Sequence, residues 1–285
     1  MRWRGGRRSS NIEDRRGQRS GGRLLGGGIG TIVIILVAVY FGVDPTFLLQ
    51  GIQSTGGAVS SGTAPSAEDL KNDPMADMIA VVMADTEDVW TTIFEQQGRQ
   101  YREPTLVLFS GATRSACGLG QSAMGPFYCP ADQKVYIDLS FYSDLQNRFQ
   151  APGDFAQAYV IAHEVGHHVQ TLLGISAQVQ RKKAQLSEAE ANQLSVRQEL
   201  QADCLAGIWA HHADRTRALL EQGDIEEGLN AASAIGDDRL QKQSRGYVTP
   251  ESFTHGTSAQ RVKWFKRGYA SGDVNACDTF GEASP

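Results

Sequence analysis

Between Ala76 and Gln97 apolar positions recur at threes and fours. Met78, Val81, Val82, Val89, Trp90, Ile93 and Phe94 share one face, and that spacing predicts a helix. Two short stretches shift the period to two. Thr105 to Phe109 is β-branched and apolar, and Lys134 to Leu139 alternates Val135, Ile137 and Leu139 with Tyr136 and Asp138, so both predict strands. Asp154 to Leu173 reads as a second helix, with Asp154 and Gln157 in capping-box positions and Gly174 closing it. Its middle, Ala158-Tyr159-Val160-Ile161-Ala162, is apolar all round and belongs in a core. Ser187 and Glu190 form another capping box ahead of a third helix reaching about His212. From residue 214 on, further helices are expected, with Trp264, Phe265 and Tyr269 as a packed face. No internal repeat is present. The pattern as a whole is that of an α+β fold, mostly helical with a small β-sheet.

Leu24 to Val43 obeys neither period. It holds twenty residues without a charge, rich in Ile, Val and Leu, which is long enough to span a bilayer. Residues 50 to 67 are rich in Gly, Ser, Thr and Ala without periodic apolar positions, the composition of a flexible stalk. The expected organisation is therefore a basic head (1–23), a transmembrane helix (24–43), a stalk (44–68) and a globular domain (69–285).

Charge sharpens that expectation. The chain has 285 residues, 41% of them hydrophobic, enough to bury an ordinary core. Its net charge of -5 hides an asymmetry, because residues 1 to 23 carry eight arginines against Glu13 and Asp14. The head is thus +6, and the rest of the chain is -11. An acidic body argues against a nucleic-acid partner. Arginines flank only the N-terminal side of Leu24 to Val43, so the positive-inside rule predicts a single pass with the N-terminus in the cytoplasm. A cleaved signal fits less well, since the head is long and no small-x-small site follows Val43. Four cysteines in an exported domain suggest two disulfides, although sequence alone does not give their connectivity. Cys117 and Cys129 bracket a glycine-rich stretch suited to a local bridge, which would leave Cys204 for Cys277.

Chemistry concentrates in His163-Glu164-Val165-Gly166-His167. On a helix the two histidines lie only about 40° apart around the axis, so both imidazoles can face one metal ion. Glu164, about 100° from His163, is placed to act as a general base on water. Burying His, Glu and His among Ala, Val and Ile is costly without a partner, and a metal supplies one. Zinc needs a third protein ligand. Glu199, on the next predicted helix, is the candidate, with Asp203 on the same face as acceptor for a ligand imidazole N–H. His168 points about 100° away from His167, and His211 and His212 fall near a helix end; all three read as structural.

His163-Glu-Val-Gly-His-His-Val-Gln170, Glu199-Leu-Gln-Ala-Asp203 and His255-Gly-Thr-Ser-Ala-Gln-Arg261 together resemble the neutral zinc metallopeptidases, bacterial proteins with one N-terminal membrane segment. The resemblance covers nearly the whole chain. It implies a zincin fold of the gluzincin kind, a Zn2+ cofactor held by His163, His167 and Glu199, and Glu164 as the catalytic base. It also motivates a catalytic role for His255, with Arg261 close by, in steadying the oxyanion; a helix-start motif with Arg261 in a salt bridge is the other reading. The implied protein is a metallopeptidase of the bacterial inner membrane, its catalytic domain periplasmic and its partner a protein or peptide substrate. Lys134 to Leu139 is a candidate edge strand for substrate, and the Cys117 to Cys129 loop a candidate cleft wall. A tethered zinc-binding adaptor without activity, or a hydrolase of non-peptide bonds, are the competing readings.

Overall fold

The computed structural model describes residues 1–17 and 72–285. Among the described residues, 1–16 and 72–285 belong to one compact unit. In chain order its regular elements are strand β1 (Ile12–Asp14), helix α1 (Pro74–Gln96), strands β2 (Thr105–Phe109), β3 (Ala112–Ser115), β4 (Gly118–Gln121), β5 (Phe127–Cys129) and β6 (Lys134–Asp138), and helices α2 (Ser140–Asn147), α3 (Asp154–Leu172), α4 (Ile175–Lys183), α5 (Glu188–Arg217), α6 (Asp224–Ala234), α7 (Asp237–Arg245) and α8 (Ser258–Ser271).

Local chemistry explains most boundaries. Asp73 accepts the Met75 and Ala76 N–H groups, and Pro74 follows it, so α1 starts where two free donors are capped and the missing N–H costs nothing. Ser187 and Glu190 form the expected capping box on α5, which runs beyond His212 to Arg217. The expected box at Asp154 does not form. Gly153 is the cap residue and Asp154 is already helical, its carboxylate turned to the Met1 ammonium 3.1 Å away.

The sheet has the order β1-β2-β6-β5, with β1, β2 and β6 parallel and β5 antiparallel on β6; β3 and β4 make a separate hairpin. The β2 and β6 strands are buried along almost their whole length because helices cover the sheet. Helix α3 crosses α5 at Gly166, where a Cβ would come within 3.0 Å of the Ala202 carbonyl. Helix α8 packs on the other side of α5, and any side chain at Gly268 would run into the Cys204 carbonyl. These two glycines let three backbones approach closely. The stacked rings of Phe155 and Trp209, 5.9 Å apart, lock α3 to α5.

Both disulfides are formed, Cys117–Cys129 and Cys204–Cys277. The first ties the turn before β4 to β5. The second, across 73 positions, fastens the C-terminal segment to α5, and chain entropy assigns it about 4 kcal/mol.

The N-terminal expectation is corrected. Residues 12–14 are not part of a detached head: they pair with Leu106–Leu108 in the same sheet as the rest of the domain. The arginines find carboxylates in that body, Arg8 on Asp77 at 2.7 Å and Arg7 on Asp88 at 2.7 Å, while Arg16 reaches Asp73. A single crossing at 24–43 would put β1 and β2 on opposite sides of a bilayer, which their pairing forbids. No helix among the described residues is long and apolar enough to cross a membrane. The predicted span 24–43 and the stalk 44–68 lie outside the described residues. The transmembrane helix, the cytoplasmic head and the single-pass inner-membrane placement with a periplasmic domain therefore do not stand, and the α+β fold, mostly helical with a small sheet, does.

Candidate metal centre

Helix α3 carries His163 and His167 one turn apart, and α5 carries Glu199 against them. One ligand atom from each of these residues lies within 4.8 Å of the others. His163 Nε2 is 3.1 Å from Glu199 Oε2, and His167 Nε2 is 3.4 Å from Glu199 Oε1, so both Nε2 atoms converge on one carboxylate. The donors sit low in the protein, with His163 only 6% exposed.

The other ring nitrogens are fixed by partners. His163 Nδ1 donates to Asp203 Oδ1 at 2.8 Å, which leaves the Nε2 lone pair for a metal. Asp203 also accepts the Tyr159 hydroxyl at 2.5 Å, and Arg261 grips it through Nε at 2.8 Å and Nη2 at 2.9 Å. The buried Arg261 guanidinium also donates through Nη1 to the Ile235 carbonyl at 3.3 Å and through Nη2 to the Tyr159 hydroxyl at 3.2 Å, so it ties Asp203 and Tyr159 to the turn between α6 and α7. His167 Nδ1 donates to Gln170 Oε1 at 2.9 Å, and Gln170 Nε2 donates to the Gln198 carbonyl at 2.7 Å and to Gln201 Oε1 at 3.0 Å.

These contacts set the charges. Burial disfavours a charged Asp203, but Arg261 and His163 hold its carboxyl down at about 2. Burial likewise works against Glu199, and the two imidazoles keep it well below the usual carboxylate range. Glu164 goes the other way: burial raises its carboxyl, and the neighbouring imidazoles only partly offset that. Burial would lower the pKa of both imidazoles, but the carboxylates of Asp203 and Glu199 raise them, His163 to about 10, so this set of two Nε2 atoms and an ionised carboxylate is donor chemistry that zinc takes with loss of the Nε2 protons.

His163, Glu164, His167, Glu199 and His255 all line one cleft of about 1180 Å³, whose far wall is residues 122–128. His255 is exposed on the cleft side. Its Nδ1 lies 3.2 Å from Asp237 Oδ1 and 3.0 Å from Thr254 Oγ1, while Asp237 Oδ2 accepts the N–H groups of Thr254, His255 and Gly256. Desolvation would lower the pKa of His255, but Asp237 raises it above the ordinary value and favours the doubly protonated ring.

Elsewhere the histidines are structural. His168 Nε2 donates to the Arg102 carbonyl at 2.6 Å and its Nδ1 accepts from Tyr128, joining α3 to β5; burial lowers its pKa to about 4. His211 and His212 donate to the carbonyls of Tyr269 and Gly272 from within α5, not from its end. Strand β6 is interior to the sheet, so it cannot offer an edge; β5 is the edge that reaches the cleft. Gln170 and Asp237 escaped sequence reasoning. An amide inside a helix and an aspartate at a helix start carry no pattern of their own, although Gln170 lies three residues beyond His167, one turn along the same helix.

Two crossing helices that present a His-Glu-x-x-His pair and a later glutamate carry the arrangement found in zinc-binding metallopeptidase motifs. The chain belongs to the family described as "Putative neutral zinc metallopeptidase", whose match covers residues 1–280. It is 53% identical to Uncharacterized protein YpfJ of Escherichia coli (strain K12), over 99% of this chain and 100% of that protein. It is 46% identical to Uncharacterized protein Rv2575 of Mycobacterium tuberculosis (strain ATCC 25618 / H37Rv), over 64% of each. No solved structure matches the chain.

Proposed function

We propose that the protein is a zinc endopeptidase that hydrolyses peptide bonds in protein or peptide substrates. The observation that carries this reading is the convergence of His163, His167 and Glu199 within 4.8 Å in a cleft also lined by Glu164. A site that served only to stabilise the fold has no need of a raised, buried carboxyl beside the three donors. Zinc held by these three residues supplies Lewis acidity and water activated near neutral pH. Asp203 and Gln170 hold the two imidazoles in the tautomer that such binding requires. Glu164 takes the proton from the attacking water and passes it to the leaving amine, a role favoured by a carboxyl whose pKa lies above its ordinary value. His255, protonated through its pairing with Asp237, donates Nε2–H to the oxyanion. The free edge of β5 aligns an extended substrate beside the site.

The full-length protein should bind one zinc per chain by mass spectrometry and cut casein. Glu164→Gln should keep the metal and lose the cutting; cleavage surviving in that variant would sink the assignment of the base. Asp237→Asn should lower kcat roughly tenfold with zinc content unchanged, since the Nε2–H donor depends on that carboxylate.

A further inference from the structure

The cleft is not uniform along α3. Toward the N-terminal end of the helix, Val160 lies one turn before Glu164, and the wall carries the rings of Phe141 and Phe149, with Asp144 and Arg148 beside them and the Arg148 guanidinium 5.3 Å over the Phe149 ring. The rings of Phe141 and Phe149 lie 6.3 Å apart, and Phe149 is five residues ahead of the start of α3. Met124 adjoins Gly125, where a Cβ would lie 3.6 Å from the Phe141 ring, and Met124 is 68% exposed, a large apolar side chain standing uncovered at the wall. Toward the C-terminal end, where Tyr128 and Ala177 also line the cleft, polar groups gather. Thr171 donates to Ser176 at 3.2 Å, Gln198 donates to the same hydroxyl at 3.3 Å, and Lys183 donates to Ser195 at 2.6 Å. Lys183 is half-buried, and the partner of its Nζ is the Ser195 hydroxyl, not a carboxylate. The ligands His163, His167 and Glu199 stand between the two halves.

From this division we infer that the cleft selects a polypeptide segment with a bulky aliphatic or aromatic side chain on one side of the reacting bond and an acidic side chain on the other. The inference rests on the peptidase reading for the words "reacting bond", but the recognition it describes is a matter of lining. Covering Met124, Phe141 and Phe149 with one large apolar side chain favours binding by about 10- to 100-fold over a small polar one. A carboxylate placed against Lys183 gains an ionic partner in a half-buried setting, where screening is weaker than at the open surface.

The test uses the full-length chain carrying Glu164→Gln, loaded with zinc, and fluorescein-labelled ten-residue peptides read by anisotropy. Peptides with Leu or Phe on one side of a central bond and Asp on the other, made in both orders, are compared with peptides bearing Ser and Lys at those positions. One order should bind at least tenfold more tightly than the controls. Met124→Lys, at an exposed position, should erase the apolar part of that preference, and Lys183→Glu should turn the acidic preference into a basic one. Equal affinity across the set, or an acidic preference untouched by Lys183→Glu, overturns the inference. Digestion of a denatured protein by the wild-type chain gives a second reading: cuts beside Leu, Phe and Met are expected, and cuts scattered without enrichment count against it. Selective binding without any cutting would keep the inference and remove the peptidase reading.

Discussion

Two buried aspartates in this protein each face an arginine, and their charges behave oppositely. Asp203 receives four donated hydrogen bonds, two from Arg261, one from the Tyr159 hydroxyl and one from His163. Asp85 in α1 receives Trp209 Nε1 at 2.7 Å and Arg217 at 2.8 Å, and the Arg217 side chain is 35% exposed. Burial penalises both carboxylates. At Asp203 the donors more than offset it and hold the group at about 2, whereas at Asp85 burial prevails and raises it to about 6. An aspartate beside an arginine is thus not one kind of object. What decides is how many donors converge and whether the guanidinium is enclosed with them.

The same substitution at the two positions should break them in different directions. Asp203→Asn leaves Arg261 buried with no countercharge, which costs about 3–5 kcal/mol, and it unlocks His163, weakening zinc binding about 10- to 100-fold. Denaturant unfolding and chelator competition read the two effects, and a variant as stable as wild type would refute the convergence argument. Asp85→Asn should be mild or stabilising. A carboxyl whose folded pKa is raised gives stability that is fully present below about pH 4 and lost as pH rises through about 6. The amide cannot ionise, so Asp85→Asn should match wild type near pH 4 and exceed it by up to about 3 kcal/mol at pH 8. Thermal melts across that range decide it; a pH-independent difference would mean that Arg217 already compensates the charge.

A neutral counterpart sharpens the contrast further. His167 is oriented by Gln170, so Gln170→Ala removes no charge and leaves one buried N–H unpaired, at about 1–2 kcal/mol. Zinc affinity should fall about tenfold, less than for Asp203→Asn, in the same chelator titration. If the two variants lose zinc equally, the charge behind His163 adds nothing beyond orientation.

How far these features could be read beforehand depended on their range. Thr105 to Phe109 and Lys134 to Asp138 are legible because alternation is local, and the facing of His163 and His167 because helical spacing converts directly into a shared face; the approach of Glu199 to them is a contact between two helices, which spacing alone does not give. Strand β5 is only Phe127-Tyr128-Cys129, too short for any period, so the pattern points to the longer β6 and not to the true edge. Asp154 looked like a cap until the chain folded back and offered it an ammonium instead. Ile12-Glu13-Asp14 has one apolar residue and belongs to a stretch dominated by arginine; nothing local marks it as a strand. The arginines read as a head beside a bilayer because the carboxylate partners of Arg8 and Arg7 lie 69 and 81 positions away.

That pairing of β1 with β2 also has a bearing on how the protein is made. Ile12 meets Leu106, a partner that the ribosome delivers 94 residues later, or roughly 5 to 20 s at ordinary elongation rates. Through that interval the early strand waits without a sheet to join, and closing so long a loop is the kind of step that slows folding. A chain trimmed of its first seventeen residues would never close it. It would keep the helices that carry His163, His167 and Glu199 but leave β2 with a bare backbone edge, the form of surface through which nascent chains stick to one another.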